Sequence, residues 1–207
     1  MTLDQFRSVA DRFLEPFVDV SEQAGLTPNA VSVAAIALAA GAGLAFAFGQ
    51  GTPILYLVGS VLVFLNGWLD ILDGALARRL QVASAAGDLL DHVLDRYADI
   101  FILVGLAAGV DEWALGLAAV TGVVMTSYLG TQAQAVGLDR VYGGLVGRAD
   151  RLVIVGVVGV VAWLYTDSIA GLTVVGWTLV FFAIVGHFTA LQRFYYAMRA
   201  FESTDRL

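Results

Sequence analysis

DILDGALARRLQVASAAGDLLDHVLD, from Asp70 to Asp95, lies inside one of the most apolar parts of this chain, yet it carries Asp70, Asp73, Asp91 and Asp95 at helical intervals. Asp70, Asp73, Gly74 and Ala77 are related as i, i+3, i+4 and i+7, so they share one helix face. Gly87, Asp91 and Asp95 follow as i, i+4 and i+8 and share a face of the next helix. The turn between the helices, near Leu80 to Ala83, is short, so the reading makes them antiparallel neighbours with four converging carboxylates. Unpaired, these groups would repel one another and lose hydration, and ionisable residues in such a place are functional by default.

The surroundings set the class. The 207 residues are 59% hydrophobic and only 14% charged, with a mean hydropathy of +0.81. A soluble domain is nearer a quarter charged, and several apolar stretches here reach the roughly 20 residues that cross a bilayer. Six spans are expected, near 30–49, 53–79, 84–108, 112–137, 150–165 and 170–199. Residues 1–26 precede them. Leu3, Phe6, Val9, Phe13, Leu14 and Phe17 recur there at helical spacing, as in an amphipathic helix lying on the membrane surface or docked on the bundle. The first long apolar run begins near Val31, behind charged residues, which does not fit a cleavable signal. The expected fold is therefore an all-α integral membrane protein, one domain with a six-helix bundle over 30–199 behind the surface helix.

Arginine placement orients the bundle. Arg7, Arg12, Arg78, Arg79, Arg140, Arg148, Arg151, Arg199 and Arg206 all fall near one set of helix ends, and the connections near 50–52, 109–111 and 166–169 hold none. The positive-inside rule then puts both termini, the Arg78-Arg79 turn and the carboxylates toward the cytoplasm of a multi-pass cell-membrane protein. All eleven basic residues are Arg, and the net charge is −7. An acidic, lysine-free chain suits a high-salt cytoplasm, although a GC-rich genome also favours Arg. It gives no support to a nucleic-acid partner. The absence of cysteine excludes disulfides, thiolate metal sites and thiol nucleophiles.

A carboxylate-rich, sulfur-free site suits Mg²⁺, Mn²⁺ or Ca²⁺. Small residues at Gly74, Ala77, Ala83, Ala85, Ala86 and Gly87 leave room for a bulky ligand. A bland alternative pairs the acids with Arg78, Arg79 and Arg96, but six acids stand between 70 and 99 against those three.

The stretch reads D-x2-D-G-x2-A-R-x8-G-x3-D-x3-D. It resembles, without a mismatch, the signature of the CDP-alcohol phosphotransferases, membrane enzymes that join a phospholipid head group to its tail. The resemblance implies a CDP-activated lipid donor, CDP-archaeol or CDP-diacylglycerol, a small polar alcohol acceptor and release of CMP. It implies two ions, Mg²⁺ or Mn²⁺, on Asp70, Asp73, Asp91 and Asp95, with Asp95 also the catalytic base. It implies that Asp70, Gly74, Ala77, Arg78 and Gly87 meet the nucleotide and phosphates, and that the enzyme is a homodimer. Arg148 and Arg151, three apart at the entry to the fifth span, and Arg193 near the end of the sixth suit an acceptor phosphate, and Arg151 and Arg193 resemble the phosphate ligands of the branch that uses a phosphorylated polyol, such as inositol phosphate or glycerol 3-phosphate. That branch usually has Lys or Arg where this chain has Gln132, which keeps a simple alcohol such as serine open.

Other polar residues have a weaker claim. Asp99 is expected to pair with Arg96 or a neighbour, His92 to pack off the ligand face and His187 to be a bonded core histidine. Asp88 could support the nucleotide, and Asn66 could touch it or bond a neighbouring helix. A divalent-metal transporter is the rival from another class. It would need neither the G-x2-A-R element nor the second Arg cluster, and it would favour broken helices.

Overall fold

The computed structural model describes residues 7–138 and 144–204. Leu3, Phe6, Arg140 and Arg206 lie outside the described residues. Those described form seven helices: α1 (Arg7–Gln23), α2 (Pro28–Ala47), α3 (Ile54–Arg79), α4 (Ala85–Val110), α5 (Trp113–Ala135), α6 (Arg148–Leu164) and α7 (Val174–Thr204). The helix starts follow local chemistry. Thr27 accepts from the Ala30 amide at 3.3 Å with Pro28 in the first turn, and Ser84 accepts from the Gly87 amide at 3.1 Å. Asp111 ends α4 in the left-handed region, at φ 55°.

Four helices, α2, α3, α5 and α7, are long and apolar enough to cross a membrane. α6, at 17 residues, is short for a span, and α4 carries Asp88, Asp91, Asp95, Arg96 and Asp99 in its first half. The chain is thus an all-helical, multi-pass membrane protein.

Two close helix crossings hold the bundle. A β-carbon on Gly105 of α4 would run into the backbone of Gly43 on α2. Gly122 of α5 also faces Gly186 of α7, somewhat less closely, and Thr126 Oγ1, 2.8 Å from the Gly186 carbonyl oxygen, adds a bond across that crossing. Small residues that let backbones meet are the usual means of association where lipid removes the hydrophobic drive between helices. Around them Phe46, Val63, Leu106, Leu179 and Phe182 form a buried core.

Helix α1 uses two faces. Leu14 and Val18 are buried in a cluster with Val31, Leu72 and Leu76, so the helix docks on α3. Arg79 fastens it through Asp19 at 2.8 Å and Glu22 at 3.4 Å. Phe13 and Val20 point outward, 68% and 66% exposed, a distribution that suits contact with lipid as well as with the bundle.

One expectation fails. The short turn does not make α3 and α4 packed neighbours: among the described residues they hardly touch. Helix α2 packs against both, and α6 packs on α3. The gap this leaves is where the carboxylates sit. Like charges on facing helices oppose close packing, and the small residues of α2 offer a better partner surface to each.

Candidate active site

Asp70 from α3 and Asp91 and Asp95 from α4 each place an oxygen so that all three lie within 4.8 Å of one another. Asp73 lines the same cavity from the side of α2 but stands outside that trio. It is buried, 6% exposed, and accepts a hydrogen bond from Ser32 Oγ at 2.6 Å. Ser32 is a residue the sequence reading missed. Its signal was faint: one hydroxyl in the apolar run of α2, a full span away from the motif.

Arg148 is the second surprise. The expectation grouped it with Arg151 and Arg193 as one acceptor cluster. The structure instead puts it in the cavity, where its guanidinium bridges Asp70 and Asp95, the latter at 2.7 Å. The cation expected to balance the acids came from Arg78, Arg79 or Arg96. Of these, Arg78 is exposed at the end of α3 and Arg79 turns to α1. Arg96 stays near the site, 3.5 Å from Asp95 and 3.8 Å from Asp99. Only the approach of α6 to α3 sets this exchange, and sequence spacing does not encode it.

Arg151, one turn along α6, forms a buried ion pair with Asp99 at 2.7 Å. The expected pairing of Asp99 with Arg96 is thus secondary to the one with Arg151. Arg193 of α7 donates to the Thr126 carbonyl at 2.6 Å. Arg151 and Thr126 line a second cavity, with Thr189, between α5, α6 and α7. Arg151 and Arg193 therefore converge near Thr126, while Arg148 belongs with the carboxylates.

Gly74 and Gly87 lie toward the turn between α3 and α4. A β-carbon on Gly74 would come no nearer than 3.5 Å to Arg78, and one on Gly87 no nearer than 3.4 Å to Ser84. Together with half-buried Ala77 they leave an open approach to the trio. Asn66 donates to the Ala35 carbonyl at 2.9 Å, which ties α3 to α2, and its Oδ1 reaches the cavity region without a partner. His92 bonds the Asp88 carbonyl at 2.8 Å on the open side, and the Asp88 side chain is 76% exposed. His187 corrects its expectation: it is exposed, 3.4 Å from Thr121 Oγ1, because Gly186 takes the inward position beside it.

This donor set is all oxygen, close-set and negative, with a single guanidinium bridging it. It fits a hard divalent cation, which takes carboxylate oxygens as ligands. A carboxylate beside such a cation can also accept a proton from an attacking hydroxyl.

The comparisons agree with that chemistry. Residues 25–187 match the family model for CDP-alcohol phosphatidyltransferase. An archaetidylinositol phosphate synthase of Methanothermobacter thermautotrophicus is 31% identical, over 94% of this chain and 93% of its own length. A phosphatidylinositol phosphate synthase of Mycolicibacterium smegmatis is 34% identical over 72% of this chain and 68% of its own. The crystal structure of Mycobacterium tuberculosis phosphatidylinositol phosphate synthase with CDP-DAG bound superposes with a TM-score of 0.76 at 25% identity, covering 90% of this chain and 94% of that one. With its signature intact and its carboxylates gathered in one cavity, the chain belongs to the CDP-alcohol phosphatidyltransferase family of enzymes.

Proposed function

We propose that this enzyme transfers the phosphatidyl or archaetidyl group of a CDP-activated lipid to a hydroxyl of an inositol phosphate. The bond from the lipid-bearing phosphorus to CMP breaks, a new phosphorus–oxygen bond forms, and the hydroxyl proton passes to Asp95. The observation that carries this reading is the trio Asp70, Asp91 and Asp95 with Asp73 beside it, on the two helices that bear the family signature. Two ions, Mg²⁺ or Mn²⁺, held by these four carboxylates would offset the charge of the pyrophosphate and of the departing CMP. Asp95 is the best placed base: it belongs to the trio and its side chain is only 16% exposed, so a proton can pass to it away from bulk water. Gly74, Ala77 and Gly87 leave the backbone open to the nucleotide, and Arg78 at the open end holds phosphate.

The acceptor phosphate is assigned to Arg151 and Arg193. They converge from α6 and α7, and the guanidinium fork matches phosphate oxygens. Gln132 replaces a cation of the phosphorylated-polyol branch, but the relatives similar over most of the chain include an archaetidylinositol phosphate synthase and a phosphatidylinositol phosphate synthase. In this reading the chain spans the cell membrane six times, α4 and α6 crossing inside the bundle, the site lies in the cytoplasmic half, and the enzyme works as a homodimer. Asp91 and Asp95 of α4 face a cavity lined by α2, α3 and Arg148 of α6, which supports α4 as a span, because ionisable groups in a span face the bundle interior.

The test is CMP release by the purified enzyme from CDP-archaeol and from CDP-diacylglycerol with Mg²⁺. Inositol phosphate, glycerol 3-phosphate, inositol and serine are compared as acceptors. Fast release with inositol phosphate alone is expected. Equal or faster release with serine or free inositol overturns the acceptor assignment.

A further inference from the structure

Two residues of the carboxylate trio are already held by a cation. Arg148 reaches in from α6 and lays its two terminal nitrogens on Asp70 and on Asp95 Oδ1. Its side chain is 17% exposed, and its Nε has no partner among the described residues. A divalent ion bound by carboxylates needs the same oxygens, roughly 2.0–2.6 Å away. A guanidinium and a metal ion compete for these carboxylates, because both are cations, each repels the other, and each draws on the same negative charge.

The helix start is built to let the side chain leave without moving the backbone. Arg148 is the first residue of α6, behind Gly147. The Gly147 amide is held by Asp150 Oδ2 at 2.9 Å, so the first turn stays capped whatever the Arg148 side chain does. Arg151, by contrast, is anchored deeper by Asp99.

We propose that Arg148 is the resident counter-cation of the carboxylate site: it bridges Asp70 and Asp95 until a divalent cation displaces it, and loading thereby frees its guanidinium fork for a phosphate oxygen. The proposal rests on the reading of the carboxylates as metal ligands. It assigns Arg148 to metal exchange, apart from the Arg151 and Arg193 pair. Before loading, it spares the cavity the repulsion of unpaired acids. Its displacement lowers the apparent affinity for metal.

Mn²⁺ binding to the detergent-purified enzyme, followed by electron paramagnetic resonance without any substrate, tests it. Arg148→Gln should bind Mn²⁺ roughly tenfold or more tightly than the wild type, the equivalent of a charge-assisted hydrogen bond no longer given up. Arg79→Ala, which removes the same charge on α1's side of α3, should leave the affinity unchanged. Unchanged or weaker binding by Arg148→Gln overturns the proposal. The wild type gives a second reading that needs no variant. Phenylglyoxal modification of Arg148, read by mass spectrometry against Arg79 as internal reference, should speed up when Mg²⁺ is added. A rate that stays the same or falls overturns the proposal even if the variant does not fold. Failure of the wild type to bind Mn²⁺ at all would instead sink the metal-site reading beneath it.

Discussion

Arg151→Ala isolates the worth of one buried ion pair. The Arg151 and Asp99 side chains are 8% and 5% exposed and 2.7 Å apart. With Arg151 gone, the nearest ion-pair partner left to Asp99 among the described residues is Arg96, whose Nε is 3.8 Å away, too far for a hydrogen bond. Removing one partner of a buried pair costs about 3–5 kcal/mol, since the other charge is left without water or a mate. At about 2–4 °C per kcal/mol for a chain of this size, the melting point should fall by roughly 6–20 °C. The assay is thermal unfolding in detergent, followed by the fluorescence of the four tryptophans. Asp99→Leu with Arg151→Met should recover most of that loss, because an apolar pair of similar volume needs no hydration. A single variant that melts within about 2 °C of the wild type would refute the argument. So would a double variant that melts below Arg151→Ala, for the pair would then not be the source of the effect.

Ser32→Ala removes a side-chain hydrogen bond to Asp73, so metal affinity or activity should drop by roughly 10–100-fold, as for other residues that orient a ligand; an unchanged Mn²⁺ titration counts against a metal role for Asp73. Asp95→Asn keeps the shape but cannot take a proton, so kcat should fall about 10²–10⁴-fold while CDP-lipid binding, read by calorimetry, holds; a kcat near the wild type removes Asp95 as base. Arg193→Ala should raise the KM for a phosphorylated acceptor about tenfold to a hundredfold and leave that for a neutral alcohol alone; an equal effect on both means Arg193 does not hold phosphate. Asp167→Cys, in a chain with no native cysteine, should react with an impermeant maleimide in intact cells; reaction only after the membrane is opened would reverse the orientation.

Much of this protein was legible in its sequence because helices are local. Apolar run lengths predicted α2 to α7 to within about five residues: 53–79 and 84–108 were expected where Ile54–Arg79 and Ala85–Val110 stand. Spacing alone put Asp70 and Asp73 on one face and Asp91 and Asp95 on another, since helical geometry fixes the direction of side chains three and four apart. The signature then named the family, and the family match agrees.

Contacts between helices distant in the sequence belonged to the tertiary structure. No period within α3 or α4 says that they stand apart with α2 packed on both, that Ser32 bonds Asp73 across 41 residues, or that Arg148 reaches Asp70 across 78. The physical reason is that an arginine side chain can serve either of two nearby acids at similar energy, and backbone crossings decide between them. Gly43 against Gly105 sets the crossing of α2 and α4, and Gly159 of α6, whose β-carbon would run into Ser60 and the Tyr56 carbonyl, sets that of α6 and α3. They bring α6 close enough for Arg148 to enter the carboxylate cavity while Arg151, one turn deeper, is taken by Asp99.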